Sequence, residues 1–116
     1  MQQLPEQIKE MKVVFNKIKS RGKIITGFKR CIQTMERMDK LPLFVLISTD
    51  CNELAFKRLI LDASEKKGLF VSQRVPKIIM SQLLDVKENE AQVCVILDFG
   101  ERWTPLDKKM FDKWFL

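Results

Sequence analysis

The amino-acid sequence predicts an α/β fold, a three-layer α-β-α sandwich in which helices cover both faces of a four-stranded mixed sheet. Three observations predict it. Segments of helical period alternate along the chain with short β-rich runs, in the order α-β-α-β-α-β-α-β-α, the pattern of helices packed on a sheet. Two runs, Leu43-Phe44-Val45-Leu46-Ile47 and Val93-Cys94-Val95-Ile96-Leu97, are apolar at every position, as strands are when both faces are buried. A chain of 116 residues that is 46% hydrophobic supports one core without staples. Residues 1–116 therefore read as a single domain.

The first helix opens at Pro5, whose missing amide donor suits the first helical position. Ile8, Met11, Phe15 and Ile18 follow at helical spacing, and Gly22 ends the segment. Lys23-Ile24-Ile25-Thr26 is a β-branched run of strand length. Gly27 then allows a tight turn into a second helix. Its apolar residues Phe28, Cys31, Ile32, Met35 and Met38 leave Lys29, Arg30, Gln33, Glu36 and Arg37 on the open face. After the strand at 43–47, Asp50 and Glu53 have the spacing of a capping box. A helix through Leu54, Phe56, Leu59, Ile60 and Ala63 stops near Gly68. Leu69-Phe70-Val71 reads as the third strand, and Pro76 opens a helix bearing Ile78, Ile79, Leu83 and Leu84. Residues 85–91 are a polar linker to the strand at 93–97. Thr104-Pro105 caps and opens the last helix, which carries Met110, Phe111, Trp114 and Phe115.

Composition narrows the chemistry. There is no histidine, which removes the usual general base and the commonest metal ligand. Cys31, Cys51 and Cys94 are well separated in apolar stretches and form no Cys-x-x-Cys pair. They read as reduced core thiols of an intracellular protein, not as a zinc site or a disulfide framework. No apolar run approaches the roughly 20 residues of a membrane span, and no signal peptide opens the chain.

The parts of an enzyme are missing. Gly22 and Gly27 make neither a dinucleotide fingerprint nor a phosphate loop, and no G-x-S-x-G elbow occurs. Asp50, Asp62, Asp85 and Asp98 are scattered, with Asp50 explained as a cap and Asp98 as a turn residue before Phe99-Gly100. Cys51 has no base or second thiol beside it in sequence to make it a nucleophile. Neither catalysis nor a metal, cofactor or small-molecule substrate is expected.

Charge is the strongest functional signal. The chain carries 21 basic and 15 acidic side chains, a net +6. Between Met11 and Met35 stand Lys12, Lys17, Lys19, Arg21, Lys23, Lys29 and Arg30 with no acid among them. A run of one sign raises a local positive potential that favours a polyanion, and no exposed aromatic anchor accompanies it to favour a membrane surface. Lys17, Lys19, Arg21 and Lys23, near the end of the first helix, and Lys29 and Arg30, at the start of the second, are expected to converge on one end of the sheet. There, helix N-terminal amides add donors for phosphate. Trp114 has core spacing, whereas Trp103 lies in a Pro-adjacent loop where it can pack on a protein or RNA neighbour.

The stretch Gly27-Phe28-Lys29-Arg30-Cys31-Ile32-Gln33-Thr34-Met35, in this order of elements, resembles the superfamily of kink-turn-binding ribosomal proteins. Those proteins dock RNA on the turn after the first strand and the start of the second helix. They carry an Asn-Glu pair where this chain has Lys29 and Arg30, and a Lys where it has Gln33. The pair that reads the sheared G·A step is absent. Two further segments are similar to the eukaryotic small-subunit ribosomal protein twelve family. One is Val45-Leu46-Ile47-Ser48-Thr49-Asp50-Cys51-Asn52-Glu53 with Phe56-Lys57-Arg58-Leu59-Ile60. The other is Val93-Cys94-Val95-Ile96-Leu97-Asp98-Phe99-Gly100. Here Asp50 and Asn52 exchange the family's amide and acid, Leu54 replaces a usual proline, and the linker at 85–91 is shorter, as in a compacted member.

The resemblance implies a structural constituent of the small ribosomal subunit that binds ribosomal RNA in the head, at the beak, and touches neighbouring ribosomal proteins. It implies a cytoplasmic, ribosome-bound protein assembled through the nucleolus, with no cofactor. It adds Gly27, and Arg74 and Lys77 flanking Pro76, to the six cations as RNA-contacting residues. Two other readings share the fold: an RNA-binding subunit of a nucleolar or tRNA-processing particle, and a protein-interaction adaptor of the stress-response type.

Overall fold

A computed structural model describes residues 5–37 and 44–116. Met38 and Leu43, assigned above to the second helix and second strand, lie outside the described residues. The elements are α1 (Pro5–Arg21), β1 (Lys23–Thr26), α2 (Phe28–Arg37), β2 (Phe44–Ile47), α3 (Leu54–Lys67), β3 (Val71–Ser72), α4 (Lys77–Leu84), β4 (Val93–Asp98) and α5 (Pro105–Phe115). Among the described residues no helix is long and apolar enough to cross a membrane.

The sheet has the order β1-β4-β2-β3. β4 is antiparallel to both of its neighbours, and β2 and β3 are parallel, so the sheet is mixed as expected. Period-two alternation divides the core into two layers. Phe44 and Leu46 of β2, with Cys94 and Ile96 of β4, face α1, α4 and α5 and meet Phe15, Ile18, Leu83, Phe111 and Phe115. Val45, Ile47, Val93 and Val95 face α2 and α3 and meet Cys31, Met35 and Ile60. All four residues of β2 are buried, which is why its sequence shows no polar alternation. Burial pushes the Cys31 thiol up to about 12 and holds Cys94 well above its ordinary value; both are free thiols.

Gly22 is required by close approach. A Cβ there would lie 2.0 Å from the main-chain oxygen of Asp98, so only glycine lets α1 turn into β1 against the end of β4. Three local expectations are corrected. The third strand is Val71–Ser72 rather than 69–71, although Phe70 still accepts a hydrogen bond from the Val45 amide at 3.1 Å. The linker at 85–91 contains a 3-10 turn, Glu88–Glu90. Asp50 and Glu53 form no capping box on α3: Glu53 occupies the cap position without a side-chain cap bond. The Asp50 carboxylate instead accepts from the Lys77 amide at 2.9 Å, because that first amide of α4 has no partner within its own helix. The cap at Thr104 is as expected, and it is a full capping box with Asp107.

Candidate nucleic-acid interface

Because β1 and β2 are each antiparallel to β4 and β3 is parallel to β2, the carboxyl ends of β1, β2 and β3 share one end of the sheet. Each of these strands leads into a helix, so α2, α3 and α4 all begin there. Open α/β sheets bind ligands at this end. Main-chain bonds knit its loops together. The Gly27 amide donates to Val93, Ser48 to Gln92 and Thr49 to Val75. The buried Gln92 side chain accepts from the Asn52 amide at 3.0 Å, and Asp50 caps α4.

Gly27 has φ +89°, a value that strains any residue with a Cβ. Its carbonyl accepts from the Cys31 amide at 2.9 Å, closing the first turn of α2. The next residues, Lys29 and Arg30, are exposed. None of α2, α3 and α4 has an acidic residue in its first turn. Carboxylates normally stand at such positions, and cations are disfavoured there by the helix dipole. At α4 the Asp50 carboxylate occupies the first amide, whereas Lys29 and Arg30 stand at the start of α2 with no acid in its first turn. Arg74 precedes α4 at the same end and donates from Nη1 to the main-chain oxygen of Leu116. The exposed acid Glu53 also lies there.

Of the nine residues singled out from the sequence, Gly27, Lys29, Arg30, Arg74 and Lys77 share this end. Lys17, Lys19, Arg21 and Lys23 do not. Lys23 pairs with Asp98 in the register of β1 and β4, and Thr26 pairs with Cys94. The first helix therefore delivers its cations to the entry of β1 while Gly27 leaves from its exit. About 10 Å of strand separates the two groups, and the expected convergence of all six cations does not occur. Two of the four are also engaged within the molecule. Lys17 Nζ donates to both carboxylate oxygens of Asp107 at 2.9 and 3.0 Å. Lys19 Nζ donates to the Leu83 carbonyl at 2.9 Å and to Asp85 at 2.8 Å. They tie α1 to α5 and α4, and the Lys19 bond and charge hold the Asp85 carboxyl below its usual range.

Both tryptophans are half-buried and make contacts within the chain. Trp114 lies against the first core layer, with Lys113 Nζ 4.7 Å from its ring centroid. Trp103 stacks on Phe99 at 4.9 Å and meets Phe111 edge-on at 6.1 Å, and it stays half-exposed, which leaves room for the outside neighbour expected of it. Asp98 is the turn residue expected, accepting from the Gly100 amide at 2.8 Å. Sequence reasoning missed the Asp50–Lys77 and Gln92–Asn52 bonds. The signal for the second was a glutamine at the mouth of a wholly apolar strand. Among the described residues no group of three His, Cys, Asp or Glu side chains is placed to hold a metal ion.

No protein-family model matches this chain, and no curated protein sequence matches it. Solved structures do match. The Giardia lamblia 15.5kD RNA binding protein superposes with a TM-score of 0.68 at 17% sequence identity, covering 97% of this chain and 90% of that one. A protein with unknown function from Bacillus halodurans superposes with a TM-score of 0.66 at 14% identity, covering 90% of this chain and 98% of that one. At these identities the likeness shows a shared α/β fold around a four-stranded mixed sheet.

Proposed function

We propose that this chain is an RNA-binding scaffold protein and a structural constituent of the small ribosomal subunit. The observation that carries the reading is the meeting of three helix starts with Lys29, Arg30, Arg74 and Lys77 at one end of the sheet. Four cations at one end of the sheet, two of them at the start of α2, suit a phosphate backbone. Arginine holds phosphate bidentately and lysine acts as a point charge. Gly27 presents bare backbone between them. Such contacts position a protein on RNA without reading bases, in keeping with Lys29 and Arg30 standing where kink-turn readers carry Asn-Glu.

The shared fold with an RNA-binding protein of Giardia supports RNA as the partner. The finer assignment draws on the segments 45–53 and 93–100, which resemble the small-subunit ribosomal protein twelve family. In this reading the partners are ribosomal RNA of the head and beak and neighbouring ribosomal proteins. The chain makes and breaks no covalent bond, and it works in the cytoplasm on ribosomes assembled through the nucleolus. A second reading, a subunit of another ribonucleoprotein particle, draws on the same structural likeness.

Sedimentation of a tagged copy through a high-salt gradient separates them. Migration with the small subunit is the expected result. Recovery with small RNAs instead transfers the assignment to the second reading, and an RNase-insensitive protein complex overturns both.

A further inference from the structure

The cations left at the opposite end of the sheet border a cavity of about 400 Å³ lined by Lys17, Arg21, Phe99, Arg102, Trp103 and Thr104. Its walls are the last turn of α1 and the connection from β4 to α5. Two close approaches hold these walls together. Gly22 abuts the Asp98 oxygen, and a Cβ on Gly100 would lie 3.0 Å from Arg21 Cβ. Gly100 takes φ +105°, and its carbonyl accepts from the Trp103 amide at 3.1 Å, which fixes Trp103 over the turn. The Phe99–Trp103 stack forms the apolar wall and rests on Phe111.

The charge of the cavity is one-sided. Three of its six lining residues are cations and none is an acid. Lys17 is matched by Asp107. Arg21 and Arg102 are exposed and take part in no ion pair among the described residues. Of the nearby carboxylates, Asp98 is bonded to the Gly100 amide and Asp107 to Lys17 and Thr104, while Glu101 is exposed and lines no part of the cavity. Thr104 caps α5, and the Asp107 carboxylate in the first turn of that helix answers its positive end, so the field of the cavity comes from the two arginines.

Two free guanidinium groups beside an aromatic wall match one chemistry: phosphate held by the planar forks and a base stacked on the ring. The volume falls within the range of small-molecule sites. We propose that this pocket binds a nucleoside phosphate, with Arg21 and Arg102 on the phosphate and Trp103 against the base. The ligand is either a free mononucleotide or one residue of an RNA strand. The site is separate from the Lys29–Arg30 surface and stands whether or not that surface binds RNA.

The test uses the full chain carrying Trp114→Phe, so that Trp103 is the single tryptophan. It is titrated with adenosine monophosphate and with a short single-stranded oligoadenylate. Quenching of Trp103 is expected, with the Kd raised at least about tenfold in Arg21→Glu/Arg102→Glu. Quenching by both probes assigns the site to free nucleotide, and quenching by the oligomer alone assigns it to a strand. Lys29→Glu/Arg30→Glu is expected to leave the quench intact, and loss of the quench there places binding at the other end and overturns the proposal. Absence of quenching by either probe, or quenching indifferent to the arginine changes, overturns it too. Arg21→Gln/Arg102→Gln, checked by thermal melting, repeats the measurement without charge reversal.

Discussion

Asp50 and Lys77 are 27 residues apart, yet the Asp50 carboxylate accepts the Lys77 main-chain amide at 2.9 Å. A residue from the β2–α3 loop thereby caps α4, a helix preceded by Pro76 and without a side-chain cap of its own. The bond ties two of the three helix starts into one surface and leaves the Lys77 side chain free of that carboxylate's main hydrogen bond.

Removing the cap tests this arrangement. Asp50→Ala is expected to lower stability by about 1 kcal/mol, the usual worth of an N-terminal cap. Asp50→Asn keeps an acceptor oxygen and is expected to lose only a fraction of that. Urea denaturation of the three proteins makes the comparison, and equal losses in both variants would show that the charge rather than the bond matters.

The Lys17–Asp107 pair has a pH signature. Burial pushes the Asp107 carboxyl up, but the Lys17 bonds and the Thr104 amide and hydroxyl outweigh it and hold the group below its usual range. A carboxyl with a lowered folded-state pKa contributes its stability fully above the unfolded value of about 4 and loses it as pH falls through the folded value. Asp107→Asn is therefore expected to destabilise the protein at neutral pH and to narrow its gap from the unmodified protein below pH 4. Melting temperatures across that window measure the gap, and a constant gap refutes the assignment.

Lys29→Glu/Arg30→Glu is expected to weaken binding to single-stranded or irregular RNA without altering the melting temperature. With roughly four phosphates neutralised, the unmodified protein should show a log–log salt slope of about −3, and the variant a slope shallower by about 1 or more. Filter binding across a salt series gives both slopes. Identical affinity in the variant removes this end of the sheet from the interface.

Gly22→Ala places a methyl group against the main-chain oxygen of Asp98. Backbone must shift to accept it, so a loss of about 3 kcal/mol is expected, the upper part of the range for overpacking. Denaturant titration measures it. The same change should disturb the Trp103 environment, since the turn carrying Trp103 rests on this contact, and near-UV circular dichroism reports that.

Element identities were legible because their causes are local. Helical spacing at Met11, Phe15 and Ile18, the apolar run at 93–97 and the Thr104-Pro105 start are each written within a few residues. The capping-box spacing at Asp50 and Glu53 was misleading for the same reason: nothing within a few residues shows that the amide of Lys77 competes for the carboxylate. The basic run from Lys12 to Arg30 was legible as charge but not as a surface, because β1 passes through its middle.

Composition and periodicity thus settled the fold class and the two-sided burial of β2 and β4, and the residue types settled the sign of the charge between Met11 and Met35. Strand order settled everything that depends on distance. β1 itself holds Lys17, Lys19, Arg21 and Lys23 apart from Lys29 and Arg30, and the shared direction of β1, β2 and β3 around an antiparallel β4 brought Arg74 and Lys77 to the second group. The fold also brought Asp107 to Lys17 across 90 residues. Side-chain period is a property of neighbouring residues, whereas pairing order follows from burying both faces of distant strands at once, and only the folded chain expresses that.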